Sequence, residues 1–171
     1  MDRRHFFKTT LAAASASLLK AIVPAYEQPL FNLHRFSKTA ITVRSIDVLR
    51  IGKSYIVKAT SGEGVTGFAL GKNPIEDYIP ILLHRVAPFF VGKDVRDLET
   101  LVDEVYVKHY KLAGQPFWLP VGTVEQALFD LFGKTIGKPV GELLGGVKRK
   151  QIPVYLSGGI RETTAEEEVA V

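Results

Sequence analysis

Gly62-Glu63-Gly64-Val65-Thr66-Gly67 reads G-x-G-x-x-G, the spacing that lets a backbone approach a dinucleotide pyrophosphate. That chemistry needs a helix to follow at once, with its N-terminal N–H groups holding the phosphates. Here the residues after Gly64 continue as a strand, so residues 62–64 are read as a hairpin turn and not as a nucleotide loop. Gly133-Lys134-Thr135 has the ending of a phosphate-binding P-loop. Leu128 stands where that motif wants glycine, and the run lies late in a helix, so the match fails. The four histidines, at 5, 34, 84 and 109, share no i, i+4 helical pair that could grip a metal. The acidic pairs Glu76-Asp77 and Asp103-Glu104 fall in helical segments, where adjacent residues point apart and read as solvated faces. No serine sits in a G-x-S-x-G elbow. With no cysteine in the chain, disulfides, thiolate nucleophiles and thiolate zinc sites are excluded. No catalytic and no metal-ligating residue is assigned within these 171 residues.

The formal charge of +4 is local, since residues 1–25 carry +3 of it and leave the body at +1. A nearly neutral body gives no electrostatic case for nucleic acid. The charged residues at the start have a different meaning. Arg3, Arg4 and Lys8 precede an apolar, small-residue run over 11–19, the arrangement of a cleavable signal peptide. That run is too short for a stable membrane anchor, which needs about 20 residues. The twin arginine, with Phe6 two positions beyond Arg4 and Lys8 two further, resembles the bacterial Tat export signal. The expectation is therefore a signal over 1–25, export to the periplasm, and the Tat translocase as a partner.

Residues 26–40 have no clear period and read as a linker or arm. Strands are predicted over 41–51, 55–61 and 65–70, rich in Ile, Val, Thr and Tyr and joined by glycine-containing turns. Connections this short imply antiparallel pairing. Within the first strand the apolar residues shift phase between 43 and 46, a shift that a bulge absorbs. The pattern then becomes helical. Asn73 is predicted to cap a helix that Pro80 kinks or restarts. Asp94 is predicted to cap a helix carrying Leu98, Leu101, Val102 and Val105 inward. Thr123 and Gln126 are predicted to start another, and a short turn over 140–144 ends at Gly145-Gly146. Residues 151–157 read as one more strand. Strands first and helices afterwards give an α+β fold, a three-stranded antiparallel sheet followed by a three- to four-helix bundle.

The run Val124-Glu125-Gln126-Ala127-Leu128-Phe129-Asp130, continued through Gly133-Lys134 and Pro139 to Leu143-Leu144-Gly145-Gly146, resembles one from the enolase superfamily. It is similar to the end of the N-terminal capping domain in the mandelate racemase and muconate lactonizing enzyme family. There the pattern is roughly A-I-D-x-A-L-W-D-x-x-G-K-x-x-G-x-P-x-x-x-L-L-G-G. Glu125 replaces the usual Asp and Phe129 the commoner Trp, and both keep the chemical type. The resemblance extends over about 41–160 and implies a capping domain at 41–146. Residues 147–171 would then begin a (β/α) barrel whose first strand is 151–157.

In such enzymes, lysine or histidine bases remove a proton beside a carboxylate, and magnesium stabilises the resulting enediolate. Those groups sit at the ends of later barrel strands, in a domain of about 250 residues. The resemblance thus implies a racemase, cycloisomerase or acid-sugar dehydratase, with a small carboxylate substrate and Mg2+ as cofactor. No magnesium ligand is expected in this chain, and the isolated polypeptide is expected to be inactive. Family members enclose substrate with the loops after the first and third strands, here 52–54 and 71–74. The first loop is short and its reach correspondingly small. Lys72, Asn73 and Ser157 are the residues so implied for substrate contact, the last at the rim of the first barrel strand. A homo-oligomer is implied for the complete enzyme. The competing reading is a non-catalytic periplasmic module that kept the cap fold for binding or assembly.

Overall fold

The structure, a computed structural model, describes residues 29–155 together with 164 and 166. Three strands, β1 (Val43–Ile51), β2 (Ser54–Ser61) and β3 (Thr66–Leu70), form an antiparallel sheet in that order. Its two turns are the short glycine-bearing links expected. The expected irregularity in β1 is present: Val43 faces Ser61 but Ser45 faces Thr60, so one residue bulges out between them.

The helices follow. α1 (Ile75–Ile81) passes through a π-helical turn, Leu82–Val86, into α2 (Ala87–Phe90), and α3 (Leu98–His109) comes next. α4 (Gln115–Ile136) is the long central helix, and α5 (Val140–Leu143) closes the bundle. Pro80 lies just ahead of the π turn, where its missing N–H and bulky ring disturb the regular ladder. No described helix is long and apolar enough to cross a membrane.

α4 covers one face of the sheet. Val57, Ala59 and Ala69 from the strands meet Val124, Ala127, Leu128 and Leu131 in one continuous core. The closest approach is at Gly67, where a Cβ would fall 2.1 Å from the Ala127 carbonyl oxygen and 2.3 Å from the Leu131 nitrogen. The last glycine of the G-x-G-x-x-G run therefore admits a helix, not a phosphate. Beside it Asp130 accepts the Phe68 N–H at 2.8 Å and pairs with Lys134, which blunts the free edge of β3.

Two sequence expectations are corrected. Thr123 caps nothing: α4 begins eight residues earlier, at Gln115. Pro116 fits the first turn, and the Thr123 hydroxyl, buried mid-helix, donates to the Leu119 carbonyl at 2.8 Å. Asn73 makes no capping hydrogen bond either. Pro74 occupies the N-cap position, and the first turn is closed by the backbone bond from Ile75 N–H to the Lys72 carbonyl, 2.8 Å. Of the strand expected over 151–157, residues 151–155 are exposed and pair with no strand among the described residues, and 156–157 lie outside the described residues. A barrel strand is held by neighbours on both edges, and the described residues contain none for it.

Asp94 is a cap, as expected, but of the 3-10 turn Val95–Asp97 that leads into α3 and not of α3 itself, whose N-cap position is Asp97. It accepts the Arg96 N–H at 3.0 Å. It also accepts the Ile41 N–H and a two-pronged guanidinium contact from Arg96. Burial pushes the Asp94 carboxyl upward, but the hydrogen bonds from Arg96 and Ile41 outweigh it and leave it below the ordinary range. The arm ahead of β1 is bound by the same region. Leu33 is fully buried, both Glu99 oxygens accept the Phe31 N–H at 3.1 Å, and His34 meets Asp97 at 2.7 Å. Phe129, the residue in place of the commoner Trp, packs edge-on against Phe31 at 6.0 Å.

Candidate functional site: a cleft between two loops

The turn from β1 to β2 and the link from β3 to α1 lie far apart in sequence. Antiparallel pairing brings them to the same end of the sheet. Between them is an open cleft of about 390 Å³ lined by Lys53, Ser54, Tyr55, Leu70, Gly71, Asn73, Ile75 and Glu76. Its floor is held by the Gly71 N–H, which donates to the Tyr55 carbonyl at 2.8 Å. Only glycine fits at 71, because a Cβ would come 2.7 Å from Ile75 Cγ2 and 3.1 Å from that same carbonyl oxygen. The first loop is braced by Arg50, whose Nε donates to the Gly52 carbonyl at 3.1 Å and whose guanidinium lies 5.8 Å from the Tyr55 ring centre.

Chemically the cleft offers an ammonium (Lys53), a hydroxyl (Ser54), a phenol (Tyr55), a carboxamide (Asn73) and one carboxylate (Glu76). That set can orient a small hydroxylated anion through hydrogen bonds and one cation. It has no paired acid and base positioned for proton transfer.

Of the residues predicted for substrate contact, Asn73 lines this cleft. Lys72 is exposed and is not among the lining residues; its carbonyl instead closes the first turn of α1. Ser157 lies outside the described residues, as do Arg3, Arg4, Phe6 and Lys8. The short first loop does reach the cleft, through Lys53 and Ser54. Tyr55 and Glu76 were missed, the one read as an ordinary strand residue and the other as part of a solvated helix face. The signal was their nearness to a loop, Tyr55 directly after 52–54 and Glu76 in the first turn of α1 after 71–74. Among the described residues no group of three or more His, Asp or Glu side chains could hold a metal ion.

Residues 27–145 match the model of the mandelate racemase / muconate lactonizing enzyme N-terminal domain. The chain belongs to this family. A D-galactonate dehydratase family member from Paenibacillus sp. (strain JDR-2) is 32% identical over 124 residues, covering 68% of this chain and 30% of that protein. The D-galactonate dehydratase of Xanthomonas euvesicatoria pv. vesicatoria is 33% identical over 102 residues, covering 58% and 26%. Among solved structures, a mandelate racemase/muconate lactonizing protein from Paracoccus denitrificans superposes with a TM-score of 0.59 at 26% identity, over 64% of this chain and 32% of that one. A second structure under that description, complexed with magnesium, gives 0.59 at 24% identity over 67% and 33%, a likeness of fold. The chain spans less than a third of the length of the dehydratases it matches. The sheet followed by helices is the N-terminal capping fold of the enolase superfamily.

Proposed function

We propose that this domain caps the mouth of a catalytic barrel and closes over a small acid-sugar carboxylate. The observation that carries the reading is the convergence of the two loops on one cleft whose polar groups suit such a ligand. Asn73, Ser54 and Tyr55 would hydrogen-bond substrate hydroxyls, Lys53 would attract the carboxylate, and Leu70 would help exclude water. The dehydratase relatives support a dehydration among the family's reactions. A racemase or cycloisomerase begins from the same proton removal beside a carboxylate.

Magnesium is the cofactor proposed for the complete enzyme. The described residues do not fit a magnesium site, so no chemical step is assigned to them, and the bases and metal ligands would be barrel residues. Export through the Tat translocase, guided by Arg3, Arg4, Phe6 and Lys8, is part of the same proposal and places the enzyme in the periplasm.

The test is to express the complete reading frame and assay D-galactonate and related acid sugars with and without magnesium. Metal-dependent loss of water, or exchange of the proton next to the carboxylate in deuterated solvent, is the expected result. A complete protein that binds no acid sugar and exchanges no proton would instead identify a binding or assembly module.

A further inference from the structure

α3 ends at His109, and a 3-10 turn, Tyr110–Leu112, carries the chain away from it. A cleft of about 390 Å³ opens there, lined by Lys108, His109, Tyr110, Lys111, Leu112 and Arg85. Arg85 comes from another element, the π turn Leu82–Val86. Single π turns inside helices are frequent at functional sites. This cleft shares no lining residue with the one between the two loops.

Arg85, Lys108, Lys111 and, when protonated, His109 are positive, and no lining residue is negative. Lys93 stands close by: its ammonium lies 5.6 Å from the centre of the Phe89 ring, and that of Lys108 lies 5.4 Å from the same centre. Like charges so near one another repel, and an ordinary solvated surface intersperses acids among them. Here that has not happened. The ion pairs of the described residues are His34–Asp97, Arg96–Asp94, Lys134–Asp130 and Lys138–Glu142, none of which involves these cations. Glu104, one turn before Lys108 on α3, is exposed and forms no ion pair with it. The negative end of the α3 dipole favours Lys108 and His109. It does not explain Arg85, which the π turn brings in from elsewhere in the chain.

The donors say what kind of anion fits. A guanidinium presents a planar fork that matches two phosphate oxygens, and ammonium groups meet the rest of the charge. A phosphate monoester carries about −1.5 to −2 at neutral pH, more than a single carboxylate can offer three permanent cations. The cleft also has the size of a small-molecule site and not that of a bare ion. Exposed Tyr110 and half-buried Leu112 supply a wall for an organic portion. We infer that the cleft at the end of α3 binds an organic phosphate monoester, with Arg85, Lys108 and Lys111 on the phosphate and Tyr110 beside the organic part. The inference is independent of the proposed reaction, because its readout is binding and not turnover.

The experiment is isothermal titration of the full chain with glycerol 3-phosphate at low ionic strength, with thermal melts as a folding control. Saturable binding is expected, weakened roughly tenfold or more when Arg85→Gln and Lys111→Gln are combined. Melting temperatures should be preserved, because both side chains are exposed. Arg44→Gln removes an exposed cation elsewhere and should leave the affinity unchanged. Acetate at matched ionic strength should not compete. A second arm is co-sedimentation with vesicles containing phosphatidic acid, whose headgroup is itself a phosphate monoester, against vesicles of phosphatidylcholine alone. Binding of glycerol 3-phosphate without binding to these vesicles assigns the site to a soluble ester. Binding to phosphatidic acid alone, lost in the double variant, assigns it to a lipid headgroup. No saturable binding in either arm overturns the proposal. Competition by acetate at equal strength, or an affinity that the double variant does not change, also overturns it by reducing the cleft to a non-specific cationic surface.

Discussion

Two residues in the core region carry consequences out of proportion to their size. Gly67 lies under the α4 backbone, and its missing side chain is what allows helix and strand to touch. Gly67→Ala must push the two elements apart, because backbone atoms stand where the methyl would go. A loss of about 3 kcal/mol, or failure to accumulate folded protein, is expected by urea denaturation. Glu125 is the second. Burial, and then the neighbouring Glu99, push its carboxyl above the ordinary range. The fold therefore binds the Glu125 proton more tightly than the unfolded chain does. Its contribution is fully present below the unfolded value of about 4.3 and is lost as pH rises through the raised folded value. Glu125→Gln is accordingly expected to raise the melting temperature at pH 7 and to change it little at pH 4.

Among the elements, the arm ahead of β1 is the one whose role the pattern concealed. It reads as a linker or arm, since Pro, Asn, His and Ser supply no period. Its order comes from groups more than 50 residues away: Glu99 on the Phe31 and Asn32 N–H groups, and Asp94 on Ile41. Arg96 adds a hydrogen bond to the Lys38 carbonyl. Leu33→Ala is expected to cost about 3 kcal/mol, as for other fully buried leucines, despite its place in an apparent linker. Asp94→Ala should remove a helix cap worth about 1 kcal/mol and speed hydrogen exchange at the Ile41 amide. The pH dependence at Asp94 is opposite in sign to that at Glu125. Its depressed carboxyl contributes stability that is present above the unfolded value of about 3.9 and is lost as pH falls through the folded one.

At the scale of the whole molecule, the cleft exists only because hairpin closure returns two loops to one end of the sheet. Under the proposed function, Asn73→Ala and Tyr55→Phe in the complete protein are expected to raise KM for an acid sugar several-fold. kcat should change less, because these groups would position substrate without taking a proton from it. Equal losses in kcat and kcat/KM would contradict a purely positioning role. Lys72→Ala, outside the cleft lining, should leave both parameters close to the wild-type values.

Local rules were enough to read the strand and helix order, the bulge in β1 and the Asp94 cap. Each depends on spacing within a few residues, and that information is carried by the chain itself. The start of α4 was misplaced because Gly114 and Pro116 open a helix as well as Thr123 could, and local preference cannot rank two nearby starts that tertiary packing decides. The grouping of Lys53 and Tyr55 with Asn73 and Glu76 and the hold of Glu99 on the arm were decided by the tertiary structure alone. They join residues distant in sequence, and only the register of the strands and the seat of α4 on Gly67 determine which of them meet.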